Sequence, residues 1–82
     1  MPTRDEIRRE LLQIVADVAE LPVEQVHPDA KFADLDIDSL RGLRIVAEVE
    51  KKYRVVISES EIGGIRSMAD VFALMEDRER EE

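Results

Sequence analysis

An aspartate, a serine and a leucine stand together at Asp38, Ser39 and Leu40, where a loop gives way to an apolar helical pattern. A carboxylate at Asp38 can accept from the free amide N–H groups of a first helical turn, which makes it an N-cap. Ser39 then falls at the first helical position, small and polar, at the positive end of the helix. Oriented amides and the macrodipole favour anions there, so a serine at this position could carry a phosphate-linked group. That suits a tethering point more than a catalytic one.

Two other chemistries can be read from the same stretch. Asp34-x-Asp36-x-Asp38 opens like a calcium-binding EF-hand loop, which needs glycine at its sixth position and a bidentate glutamate at its twelfth. Those positions hold Ser39 and Ile45, so at most weak divalent binding by a solvated acidic loop is expected and no metal site is assigned. A hydrolytic triad would recruit Ser39, the single histidine His27 and a nearby aspartate. His27 lies between Val26 and Pro28 in a loop, where a surface role suffices. No oxyanion hole is evident, and no catalytic residue is assigned.

The elements that must position Ser39 follow from apolar spacing and caps. Thr3-x-x-Glu6 reads as a capping box, followed by Ile7, Leu11, Ile14, Val15 and Val18 on one helical stripe. Pro22 ends this first helix near Glu20 or Leu21. A long connection runs to Ile37, with Val23, Val26, Phe32 and Leu35 spaced as anchors. The second helix is expected from Ser39 to about Tyr53. Its broad apolar arc takes in Leu40, Gly42, Leu43, Ile45, Val46, Ala47, Val49 and Tyr53, which suits a central helix with Leu40 opening its buried face. Ser58-x-x-Glu61 caps a short third helix that Gly63-Gly64 ends, and Ser67-x-x-Asp70 caps the last, with Met68, Val71, Phe72 and Met75 facing inward. The expected fold is all-α: a small bundle of three main helices plus one short helix, with a long loop between the first two. Residues 1–77 form the domain and 78–82 a frayed acidic tail.

Composition narrows the partners. The chain has 82 residues, no cysteine, 4% aromatics and a formal net charge of −8. The core must be aliphatic, and any thiol chemistry needs an attached group. The charge opposes nucleic acid as a main partner and fits a monomer that docks on basic protein surfaces. No apolar run is long enough for stable membrane insertion, and the start lacks a signal peptide's apolar segment, so a cytoplasmic location is expected.

Asp38-Ser39-Leu40 at the head of the second helix, after a Phe32-x-x-Leu35 loop, with Ile57 before the short helix and Ile65-x-Ser67 after it, resembles the acyl carrier proteins over essentially the whole chain. The resemblance implies that Ser39 receives 4′-phosphopantetheine from coenzyme A, attached covalently by a separate phosphopantetheinyl transferase with Mg²⁺. Asp38 and Leu40 flank the attachment. The arm's thiol would carry acyl groups as thioesters between acyl-loading and acyl-transfer enzymes. An aminoacyl or peptidyl carrier shares these features. A helical interaction module that is never modified would share the serine.

The sequence departs from the family pattern twice. Asp36 stands where a glycine is usual, so the loop must turn without that freedom. Arg41 and Arg44 stand on the second helix where acids are common. From Asp17 to Asp38 seven acids meet one base, and from Arg41 to Arg54 five bases meet two acids. Glu48 is spaced for pairs with Arg44 and Lys52. Two readings stand: the arginines select a dedicated partner set in a lipid or polyketide pathway, or they are merely solvated while Asp34, Asp36, Asp38 and Glu48 dock general fatty-acid enzymes. The expected acyl-chain cavity comprises Leu43, Val46, Ala47, Ile57, Ile65, Met68 and Val71.

Overall fold

The computed structural model describes residues 3–80, with side-chain environments through Glu76. Four helices follow in order: α1 Arg4–Ala19, α2 Ser39–Tyr53, α3 Glu59–Gly63 and α4 Met68–Arg80. Two 3₁₀ turns, Val23–Gln25 and Phe32–Leu35, lie in the long connection between α1 and α2.

Local chemistry sets the helix starts. Thr3 Oγ1 accepts from the Glu6 N–H at 3.2 Å, and Asp38 Oδ1 accepts from the Arg41 N–H at 2.9 Å. Ser58 and Glu61 form a reciprocal box, each accepting from the other's backbone N–H at 3.2 and 3.1 Å. Ser67 Oγ accepts from the Asp70 N–H at 3.2 Å. Each cap satisfies a donor that the helix itself cannot.

The stops are less ordinary. Glu20, Asp36 and Arg54 all adopt left-handed backbone, with φ of 59°, 56° and 55°, while no glycine has positive φ. After Glu20 the Leu21 N–H reaches back to the Ala16 carbonyl at 3.0 Å, and after Asp36 the Ile37 N–H reaches the Phe32 carbonyl at 3.0 Å. This reversal satisfies terminal carbonyls and turns the next apolar residue inward. Ile37 is buried, and Leu21 and Val55 are half-buried. Gly63 and Gly64 end α3 without using their conformational freedom, since Gly64 sits at φ −91°.

The core is aliphatic apart from two buried aromatics, Phe32 in the long connection and Phe72 in α4. Its best-buried side chains are Leu11, Val15, Ile45 and Met68. The hub is α1, which packs against both α2 and α4. This corrects the expectation that α2 is central. Only Ile45, Val46 and Val49 of α2 are buried, while Leu40 is 75% exposed, Leu43 is 49% exposed and Ala47 is exposed. At 100° per residue, Leu40 and Ala47 lie roughly 150–170° from the centre of the buried arc, too far round the helix for α1 to cover. The apolar arc was wider than the surface available to bury it.

Polar contacts fasten the helices to one another. Tyr53 Oη donates to Glu10 Oε1 at 2.7 Å, joining α2 to α1. The Ile57 N–H donates to Glu50 Oε2 at 2.9 Å, fixing the extended link before α3. Arg8 pairs with Glu76 at 2.8 Å and lies 4.9 Å from the centre of the Phe72 ring, joining α1 to α4. The long connection is itself pinned. Lys31 and Ser67 form an isolated antiparallel bridge, in which the Phe32 N–H donates to the Arg66 carbonyl at 2.9 Å and the Met68 N–H to the Ala30 carbonyl at 3.0 Å. Val26 and Phe32 are buried as anchors, with Val23 and Leu35 half-buried. The helix α4 continues to Arg80, past the boundary expected at residue 77. The rest of the expected tail, 81–82, lies outside the described residues.

Candidate functional site

Ser39 is exposed as the first residue of α2. The turn that delivers it has three parts. Phe32 anchors the 3₁₀ turn in the core, left-handed Asp36 reverses the chain, and buried Ile37 sets the register so that Asp38 caps the helix. Aspartate enters left-handed backbone more readily than most residues, so the loop turns at Asp36 without a glycine.

A groove of about 530 Å³ opens beside this serine. Ser39, Gly42, Leu43 and Val46 of α2 form one wall, with Ile62 and Gly63 of α3, and Ile65 and Arg66 after it, also lining the space. Phe32, Ala33, Ile37 and Asp38 come from the loop. A Cβ placed on Gly42 or Gly63 would meet nothing within 4 Å, so both glycines leave the groove wider than alanine would.

The expected cavity residues divide. Leu43, Val46 and Ile65 line the groove. Ile57, Met68 and Val71 are instead buried core side chains away from its walls, and Ala47 is exposed. Sequence reasoning missed Phe32, Ala33, Ile37, Gly42, Ile62, Gly63 and Arg66 as groove residues. The apolar ones carried a signal, since Phe32 was already an expected anchor. The pairing of the loop with the segment after α3 carried none.

The expected docking residues form two surfaces. Asp34, Asp36 and Asp38 are exposed on the loop before Ser39, and Arg44 and Glu48 are exposed on α2. Arg41 is half-buried and reaches Glu20 at 3.6 Å. Glu48 makes neither of its expected helical pairs. The ion pairs among the described residues are Arg8–Glu76, Arg41–Glu20 and the close approach of His27 to Asp29. His27 Nδ1 accepts from the Asp29 N–H at 3.2 Å, a local loop contact. Among the described residues, no group of three or more carboxylates or histidines is arranged to hold a metal ion.

Ser39 is thus an exposed serine at a helix start beside an open groove, with no side-chain hydrogen bond among the described residues. Residues 9–74 match the family model for the phosphopantetheine attachment site. The chain is 41% identical over 69 residues to the polyketide-8 synthase acyl carrier protein 2 of Streptomyces avermitilis, covering 83% of this chain and 79% of that protein. It is 38% identical over 80 residues to an acyl carrier protein of Rhodococcus erythropolis, covering 96% and 88%. It is 36% identical over 80 residues to the meromycolate extension acyl carrier protein of Mycolicibacterium smegmatis, covering 96% and 81%. Its fold is similar to the crystal structure of an acyl carrier protein from Thermotoga maritima, with a TM-score of 0.80 at 22% identity over 95% and 92% of the two chains.

The chain belongs to the acyl carrier protein family. It is a carrier on which acyl-handling enzymes act, and its prosthetic group is 4′-phosphopantetheine. The residues present fit that group: an exposed hydroxyl at Ser39, a helix start beside it and an open groove next to both. No described helix is long and apolar enough to cross a membrane.

Proposed function

We propose that Ser39 is the attachment residue and that the chain carries acyl intermediates as thioesters in a dedicated lipid or polyketide pathway. The single observation that carries the attachment is the position of Ser39: exposed, first in α2, at the edge of the groove. Esterification to phosphorus requires the hydroxyl to lose its proton, and among the described residues no side chain is hydrogen-bonded to the Ser39 hydroxyl to take it. Asp38 Oδ1 accepts from the Arg41 N–H, and His27 Nδ1 accepts from the Asp29 N–H in its own loop. A separate phosphopantetheinyl transferase therefore supplies base and metal, reading the exposed Leu40 beside the serine. Once attached, the group supplies the thiol that this cysteine-free chain lacks. The apolar groove walls at Leu43, Val46, Ile62 and Ile65 shelter cargo from water.

The dedicated-pathway reading rests on Arg41 and Arg44, which repel partners built to read acidic helices. The names of the Streptomyces and Mycolicibacterium relatives, in polyketide synthesis and meromycolate extension, point the same way. The protein works as a monomer in the cytoplasm.

Incubation with coenzyme A, Mg²⁺ and a broad-specificity phosphopantetheinyl transferase is expected to add one phosphopantetheine by mass spectrometry, and Ser39→Ala to abolish it. An adduct that persists in Ser39→Ala would place the attachment elsewhere. Loading by a general fatty-acid malonyl transferase is expected to be poor and to improve in Arg41→Glu/Arg44→Glu. Efficient loading of the unaltered chain sinks the dedicated-pathway reading.

A further inference from the structure

We propose that Arg66 holds the phosphodiester of the arm on Ser39, acting as a positioning residue for the loaded carrier. The inference rests on Ser39 being the attachment residue. A phosphodiester there carries a negative charge next to a loop rich in carboxylates, with Asp34, Asp36 and Asp38 all exposed. The helix start offsets part of that repulsion. A side-chain cation on the same groove offsets more.

Among the described residues, the charged ones lining the groove are Asp38 and Arg66. Asp38 caps α2 through the Arg41 N–H at 2.9 Å, and its carboxylate repels an anion. Arg66 is exposed and takes no part in the ion pairs among the described residues. The neighbouring cations of α2 are differently placed. Arg41 is drawn towards Glu20, and Arg44 projects from α2 about 140° around the helix from Ser39.

The backbone of Arg66 is fixed on both sides. Its N–H donates to Asp70 Oδ2 at 2.9 Å, and its carbonyl accepts from the Phe32 N–H at 2.9 Å. Phe32 is buried in the core and lines the same groove. A fixed Cα lowers the ordering cost of using a long side chain. A guanidinium offers paired donors that match two phosphate oxygens, which a lysine cannot reproduce. Gly42 and Gly63 leave the walls on either side clear of any Cβ.

The test uses the full-length chain in apo and holo forms, with conversion followed by mass. Attachment is expected to shift the Arg66 Nε–H resonance in ¹⁵N-resolved spectra, with no such shift in Ser39→Ala treated identically. The ³¹P resonance of the holo protein is expected to move and its relaxation to report a freer diester in Arg66→Gln, with an intermediate effect in Arg66→Lys. A holo protein whose Arg66 Nε–H stays at its apo position, with ³¹P parameters unchanged by Arg66→Gln, overturns the inference and leaves the attachment reading standing. A response that appears only after the arm is loaded with a malonyl group overturns it too, because the guanidinium then reads a cargo carboxylate. No adduct at Ser39 overturns both. The Nε–H measurement on the unaltered sequence stands even if Arg66→Gln folds poorly.

Discussion

Leu40 and Met68 are both large apolar side chains close in sequence to caps, yet they do opposite work. Leu40 is 75% exposed beside Ser39, whereas Met68 is fully buried at the head of α4. Truncating Met68 leaves a cavity that surrounding aliphatic side chains only partly fill, so Met68→Ala is expected to cost about 2–5 kcal/mol. Leu40→Ala removes little buried surface and is expected to cost less than about 0.5 kcal/mol. Its effect falls on recognition: urea denaturation should scarcely register it, while the rate of phosphopantetheine transfer drops. A large stability loss in Leu40→Ala would contradict the exposed placement. An apolar residue spaced at the edge of a helical arc does not declare from sequence whether it faces core or partner. What separates these two is the reach of α1, which is a property of the fold.

At the level of elements, the helix starts and the places where helices stop were legible, but the backbone conformation that makes the stops was not. A capping side chain acts over three residues, so Thr3, Asp38, Ser58 and Ser67 could each be recognised from their neighbours. The stops at Glu20 and Arg54 use left-handed backbone at residues that rarely adopt it, and Asp36 uses it at one that adopts it more readily. No glycine marks them. The expected signal at Gly63-Gly64 fell where the backbone stays right-handed. The groove was harder still, because its walls depend on a loop meeting the segment after α3, a pairing no local pattern encodes. Replacing Glu20 or Arg54 by glycine relieves strain and is expected to raise stability by up to about 1 kcal/mol each. Asp36→Gly is expected to be near neutral, since aspartate tolerates this region and glycine costs more chain entropy on folding. Chemical denaturation of the three variants checks the order. Equal gains at all three positions would mean that aspartate bears the same strain as the longer side chains.

For the whole molecule, stability is spread across a thin aliphatic core and a few polar fasteners between helices. The Tyr53 hydroxyl is one of them. Burial, together with its hydrogen bond to Glu10 and the charge of that carboxylate, holds its pKa well above the ordinary tyrosine range. The folded state therefore keeps this proton where the unfolded chain would release it. Its contribution is fully present below the unfolded value of about 10 and is lost as pH rises through the folded one. Between about pH 10 and 11.5, the unaltered protein is expected to lose stability more steeply than Tyr53→Phe. Parallel urea titrations of the two proteins read the difference. Identical slopes would show that the hydroxyl is not held by the fold. At neutral pH the same variant is expected to be weaker by about 1 kcal/mol, having lost a hydrogen bond to a charged acceptor.

The bridge between Lys31 and Ser67 also has a mechanical meaning. By joining the long connection to the segment before α4, it ties the chain into a non-covalent ring that contains α2 and α3. Tension applied to the two ends of the chain runs along α1, crosses at the bridge and leaves through α4. The ring, and Ser39 on it, lies off that path, although the Tyr53–Glu10 and Arg41–Glu20 contacts still join it to α1. While the bridge holds, the chain between Lys31 and Ser67 cannot be drawn out to its full length. When it gives way, the ring's hidden length of roughly 120 Å is released. A carrier tugged at its ends would keep the stretch around Ser39 from being drawn out until that clasp opened.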